Sequence, residues 1–172
     1  HLWRKNERKA DGVMRPRTAF EVEQLNVVFS SRLYAVGPDR YDPMEVAMYW
    51  LMLAGTFTGA RLEELAHLEP RDIRDVNGRW WMRIEAKSRT QRVKTLVSAR
   101  DVPLHRRLVD AGFVSYALAA SKAGWTRLFP WLTETKRGGV AAAVSKRLNR
   151  YLDDIGLDDQ RLVFHSSRHA FK

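Results

Sequence analysis

The sequence contains no cysteine in 172 residues, which excludes disulfides and thiolate metal sites and points to a reducing compartment. Long apolar runs are also missing. The longest, MEVAMYWLMLAGTF from Met44 to Phe57, carries Glu45 and falls short of the roughly 18 residues that a membrane span needs. The opening HLWRKNERKADG is polar and charged and does not read as a signal peptide. There is no internal repeat and no low-complexity segment. Acidic residues are in deficit, with 20 Asp and Glu against 30 Lys and Arg, for a net charge of +10.

What is present fits one folded domain. The chain is 45% hydrophobic and 10% aromatic, enough to bury a core and too apolar for disorder. Its positive charge predicts attraction to a polyanion, and nucleic acid is the one such a protein meets most often; simple solubility is the bland alternative. The distribution favours the former. Between Lys87 and Arg100, KSRTQRVKTLVSAR holds Lys87, Arg89, Arg92, Lys94 and Arg100 with no acidic residue, which is a local patch.

Residues 1–17 lack apolar periodicity and read as a linker or cut end. From Thr18 the signature TAFE predicts a helix capped by Thr18 and Glu21, carrying Val22, Leu25, Val28, Phe29 and Leu33 on one face and broken by GPDRYDP. Met44 to Thr56 is apolar all round and predicts a central helix covered on every side. Gly55 and Gly59 are expected to loosen the chain before a short helix, ARLEELAHL, whose Leu62, Leu65, Ala66 and Leu68 face inward and which ends at Pro70.

RWWMRIEA and RVKTLVSARDVPL predict two or three short antiparallel strands. Helical spacing returns with Leu108, Val109, Phe113, Val114 and Ala117, broken at Gly112. TRLFPWL reads as an extended connector. A last clear helix sets Val140, Val144, Leu148, Tyr151 and Leu152 on one stripe and turns Lys146, Arg147 and Arg150 away. The expected fold is α+β, mainly α, with a small antiparallel sheet.

Two groups of residues are candidates for chemistry. Arg61 sits where a glycine-containing turn becomes a helix, where side-chain and backbone donors can both face an anion, and Glu64 one turn on can hold its guanidinium. An ordinary surface Arg–Glu pair is the alternative. At the other end, FHSSRHAFK places His165, Arg168 and His169 on one face if the segment is helical. Metal binding fits poorly, since no Glu follows the first His and no cysteine completes a site. Imidazole and guanidinium suit phosphate better, the alternative being a core histidine beside a surface arginine. Two arginines from separate elements can clamp a phosphoryl group while His or Lys handles a proton, and Lys94 can protonate a leaving oxygen, the alternative being a solvated hairpin lysine on the DNA backbone.

These segments, in this order, resemble the catalytic domain of the tyrosine recombinases, the phage integrase family. TGARLEELAHLEPRDI resembles the first arginine box, with Arg61 and its supporting Glu64. VKTLVSARDVPLH resembles the hairpin carrying the family's lysine, assigned to Lys94 by its distance from Pro103, with Lys87 as the other choice. FHSSRHAFK resembles the second box, with His165 and Arg168 as H-x-x-R and His169 as the supporting neighbour. TRLFPWL and VSKRLNRYLDDIGL resemble the connector and helix before that box, as in integrases of prophages and genomic islands. The resemblance runs from Thr18 to Lys172.

What it implies is site-specific recombination of double-stranded DNA through a 3′-phosphotyrosyl intermediate, without cofactor or metal. Arg61 and Arg168 stabilise the pentavalent phosphate, Lys94 is the general acid, His165 manages the nucleophile's proton, and Glu64 orients Arg61. Lys87, Arg89 and Arg92 contact the DNA backbone. A homotetramer on DNA, a directionality factor and a cytoplasmic, nucleoid-associated setting are implied as well. In the family a His or Trp and then the tyrosine nucleophile follow the second box. Tyr34, Tyr41, Tyr49, Tyr116 and Tyr151 all precede it here, so the expectation is a catalytic domain short of its nucleophile and inactive alone. A type IB topoisomerase shares this chemistry, and a basic DNA-binding module that never cleaves is the reading from another class.

Overall fold

The computed structural model describes residues 18–85, 99–135 and 139–170. The first helix, α1 (Val22–Phe29), starts later than the Thr18 signature predicts. Its N-cap is Glu21, whose backbone N–H donates to Gln24 Oε1 at 2.9 Å. It also ends before Leu33, because the Ser31 hydroxyl donates to the Val28 carbonyl and competes with the helical ladder. A second short helix, α2 (Arg32–Ala35), then buries Leu33.

After a 3₁₀ turn at Pro38–Arg40 comes the centre of the fold, α3 (Pro43–Thr58). Asp42 accepts from the Glu45 N–H at 2.9 Å and Pro43 takes the first helical position, so the helix starts at the head of the apolar run. Every residue from Ala47 to Gly55 is buried, as an all-round apolar helix requires. Gly59, at φ 61°, ends it in the left-handed region. Next, α4 (Leu62–Ala66) buries Leu65 and Ala66, and Leu68 beyond it, and stops at His67, before Pro70.

The sheet has three antiparallel strands in the order β1 (Ile73–Val76), β2 (Arg79–Ile84), β3 (Arg100–Pro103). The periodicity gives β2 and β3 but not β1, where only Ile73 is buried. What makes β1 is the turn that follows it. Asn77 and Gly78 have φ 55° and 77°, the two-residue turn that an Asn-Gly pair favours between antiparallel strands. On β2, Met82 and Ile84 face the core; on β3, Arg100 and Val102 lie opposite Ile84 and Met82.

Two helices follow, α5 (Arg106–Asp110) and α6 (Phe113–Lys122), separated at Gly112. Trp50 of α3 lies 5.4 Å from both Phe113 and Tyr116 of α6, ring centre to ring centre. The connector from Trp125 to Leu132 is irregular but buried at Leu128, Phe129 and Leu132, and the Leu128 N–H donates to the Leu68 carbonyl at 2.8 Å. In α7 (Ala142–Asp154) Val144, Leu148, Tyr151 and Leu152 are buried while Lys146, Arg147 and Arg150 are exposed, the stripe that the spacing predicts. The last helix, α8 (Phe164–Ala170), packs on α3. The architecture is α+β and mainly α. Among the described residues no helix is long and apolar enough to cross a membrane.

Candidate active site

Arg61 is the N-cap of α4, and both its backbone and its side chain are held by Glu64. The Arg61 N–H donates to Glu64 Oε2 at 2.8 Å, and Nη1 donates to Oε1 at 3.0 Å. The backbone amide is thereby taken up within the helix start, so of the two donors expected to face an anion only the side chain is left. That side chain is 56% exposed and its carboxylate partner 8%. A surface Arg–Glu pair has both ends in water; this one has its acceptor buried.

A second arginine completes the arrangement. Arg100 of β3 donates from Nη2 to Glu64 Oε2 at 2.9 Å and from Nη1 to Oε1 at 3.3 Å. Sequence reasoning counted Arg100 only as one cation of the basic segment. The missed signal was strand alternation: Val102 and Leu104 are apolar at the second and fourth positions after it, so Arg100 shares their inward face. Burial by itself raises the Glu64 carboxyl, but hydrogen bonds from Arg100 and from the Arg61 amide, with the Arg100 charge, outweigh it and hold Glu64 below its ordinary value.

Glu63, which the sequence reading also passed over, points elsewhere. Its Oε1 accepts from the Val140 N–H and its Oε2 from the Ala141 N–H, both at 2.9 Å, immediately before α7, and His67 Nε2 lies 3.1 Å from Oε1. It therefore fastens α4 to the start of α7. Burial raises this carboxyl too, and hydrogen bonds from His67, Ala141 and Val140 overcome that and lower it.

The two depressed glutamates make a pH prediction. A carboxylate whose folded pKa lies below its unfolded value stabilises the fold fully above that unfolded value, and loses the effect as pH falls through the folded one. The chain's denaturant midpoint is expected to hold steady from pH 7 to about pH 5 and to drop below the ordinary value near 4.5. Urea titrations of wild type and Glu64→Gln check it. The variant starts lower and falls less on acidification.

On α8, His165 is exposed and Arg168 is half-buried one turn later, on the same face. The helix is seated by serines rather than by apolar residues alone. Ser166 and Ser167 are fully buried; the Ser166 hydroxyl donates to the Arg161 carbonyl at 3.1 Å and that of Ser167 to the Phe164 carbonyl at 2.8 Å. Among the described residues, Arg168 Nη1 is buried and has no acceptor. Leaving a buried charged donor without a partner costs upwards of about 1–3 kcal/mol, and an anion against it removes that cost.

Both groups are tied to α3. Gly55 lies inside this helix and does not loosen it as expected. A β-carbon there would come within 2.4 Å of Phe164 Cζ and 3.2 Å of Ser167 Oγ, so only glycine lets α8 lie this close. Arg61 follows the end of the same helix by three residues. The structure thus joins Arg61 directly to Glu64 and sets His165 and Arg168 on a neighbouring element. Lys87, Arg89, Arg92 and Lys94 lie outside the described residues, as does the His169 side chain.

The tyrosines are engaged in packing. Tyr34 donates to the Tyr49 carbonyl, Tyr41 to the Arg32 carbonyl, Tyr116 to the Leu128 carbonyl and Tyr151 to Ser31 Oγ. Tyr49 packs between Tyr34, to which it is tilted, and Trp50, which it meets edge-on. Burial pushes the Tyr34, Tyr49 and Tyr116 hydroxyls above their ordinary value.

No family model matches the sequence, and no curated protein matches it at a significant level. Solved structures do. A pre-cleavage complex of the XerH site-specific recombinase bound to difH substrate aligns with TM-score 0.60 and 19% identity, over 95% of this chain and 44% of that one. A post-cleavage complex of XerH with palindromic difH substrate aligns with TM-score 0.57 and 19% identity, over 91% and 41%. The chain has the fold of a site-specific recombinase. The resemblance drawn from the two arginine boxes therefore extends to the fold, and the recombinase fold accounts for the helices around a three-stranded sheet. The chain spans less than half the length of the XerH chains it matches.

Proposed function

We propose that the chain is the catalytic domain of a tyrosine recombinase, cutting and rejoining double-stranded DNA through a 3′-phosphotyrosyl intermediate. The observation that supports this most is Arg168, whose buried Nη1 has no acceptor among the described residues, on a helix packed against the element that leads to Arg61. In this reading Arg61 and Arg168 donate to the non-bridging oxygens of the phosphate as charge builds on them, and Glu64 holds Arg61 in place. The tyrosine oxygen bonds to phosphorus and the 5′ oxygen leaves, taking a proton from Lys94. His165 handles the tyrosine's proton and His169 supports it. The nucleophile is a tyrosine outside these 172 residues, since the hydroxyls of Tyr34, Tyr41, Tyr116 and Tyr151 are bonded elsewhere and Tyr49 is packed in the core between Tyr34 and Trp50. Rejoining reverses the step, because the covalent link conserves the phosphodiester's energy.

Lys87, Arg89 and Arg92 contact the DNA backbone in this scheme, the working assembly is a tetramer on DNA with a directionality factor, and the encoding element is a prophage or genomic island. The test uses the full-length gene product with nicked duplexes taken from the sequence flanking its gene. Expected is a protein–DNA adduct that survives denaturing electrophoresis, and binding that weakens steeply with salt, as phosphate contacts require. Relaxation of any supercoiled plasmid at equal efficiency would point to a topoisomerase. No adduct together with a flat salt dependence would overturn the reading.

A further inference from the structure

Arg100 lies in a segment whose other cations are assigned to the DNA backbone or, for Lys94, to the leaving oxygen, yet its geometry belongs with α4. Strand alternation turns it inward opposite Ile84, and there it meets Glu64 with two donors at once. A carboxylate offers about four lone-pair directions. In Glu64, Oε1 receives Arg61 Nη1 and Arg100 Nη1, and Oε2 receives the Arg61 N–H and Arg100 Nη2. The acceptor is thus fully engaged, and half of its bonds come from the sheet.

We infer that Arg100 is a positioning residue for Arg61, fixing through its two-point pairing the Glu64 carboxylate on which the Arg61 guanidinium rests. This builds on the reading of Arg61 as a phosphate donor. The carboxylate is buried, so it has few alternative poses once the fork of Arg100 is in place. Without Arg100, the partners Glu64 keeps among the described residues are those of its own helix start, and Arg61 can follow it toward solvent. The cluster also carries a net single positive charge: two guanidiniums against one carboxylate. A lysine in place of Arg100 supplies the charge but not the fork.

Arg100→Ala and Arg100→Gln, the second keeping much of the stem, are compared with wild type and Arg100→Lys in the full-length protein. In single turnover on the nicked duplex, cleavage is expected to fall about tenfold while DNA affinity changes less than about threefold, since a positioning defect acts on the transition state. Arg100→Lys recovers part of the loss. In a Glu64→Gln background, Arg100→Ala adds little.

A second measurement does not depend on activity. Carboxyl-carbon NMR of the 172-residue chain follows the Glu64 titration, which loses its nearest cation in Arg100→Ala and moves to higher pH. The proposal is overturned if that midpoint stays in place, or if affinity falls in step with rate, which is the mark of a simple backbone contact. Should wild type form no adduct, the functional reading fails, and the Glu64 titration still decides whether Arg100 holds it.

Discussion

Arg168→Ala in the full-length protein is expected to slow formation of the covalent DNA adduct by about 10²–10³, with Arg61→Ala close behind. The physical reason is the setting of the guanidinium. Nη1 is buried without an acceptor among the described residues, so it is preorganised for an oxygen that becomes more negative as the phosphate goes pentavalent, and it has little water to displace. Binding of duplex is spread over many cations, the net charge being +10, so affinity falls far less than rate. Stability supplies an independent sign. Removing a buried donor that has no partner takes away a folding cost, so the variant is expected to melt at the same temperature as wild type or slightly above it. A loss of rate accompanied by unfolding would mean that Arg168 is only structural. Adduct yield within about threefold of wild type would remove it from the site. Arg168→Lys is a useful intermediate, because it keeps the charge while giving up the planar two-donor geometry.

Much of this was legible in the sequence where one periodicity governs a segment. The all-round apolar α3 and the striped α7 follow from spacing alone; for FHSSRHA spacing says only that His165, Arg168 and His169 share a face if the segment is helical. The errors have local causes. Thr18 looks like a cap, but Glu21 and Gln24 offer the same reciprocal bonding three residues later. Ser31 diverts the chain by bonding back to Val28, a competition that no count of apolar positions reveals. β1 is exposed at three of four positions and exists because of the Asn77–Gly78 turn that closes it on β2.

At the site, the pairing of Arg61 with Glu64 was readable because it lies within one turn. The role of Arg100 was not, since it depends on a partner 36 residues away across an element boundary. Glu63 was hidden for the same reason, its amide partners lying 77 and 78 residues ahead. Alternation along RDVPL would have turned Arg100 inward, but not told what it meets. The recombinase-like arrangement of boxes was visible as an order of motifs; that Gly55 sets the distance between them was not, because a glycine in a helix sequence reads as a weak point.

Gly55→Val tests that last role. Its Cβ would fall 2.4 Å from Phe164 Cζ and 2.9 Å from Cε2, far inside van der Waals contact. Phe164 is itself buried, so the ring has nowhere to swing, and α8 must move off α3 or the core must strain. Overpacking of this kind costs about 1–3 kcal/mol, or a melting temperature lower by roughly 2–12 °C for a domain of this size. By intrinsic propensity alone the change goes the other way, since valine is a better helix residue than glycine by a few tenths of a kcal/mol. The sign of the shift therefore separates the two effects. A rise in melting temperature would show that α8 does not rest on Gly55. The expected fall should come with a second consequence: Arg168 travels with α8, so adduct formation drops in Gly55→Val even at temperatures where the protein stays folded. Phe164→Leu placed in the same chain trims the ring that the new methyls strike. It should restore part of both stability and rate, whereas the same substitution in wild type leaves a cavity and only destabilises. That reversal of sign, measured as a double-mutant cycle, ties the spacing of the two boxes to a single close contact between α3 and α8.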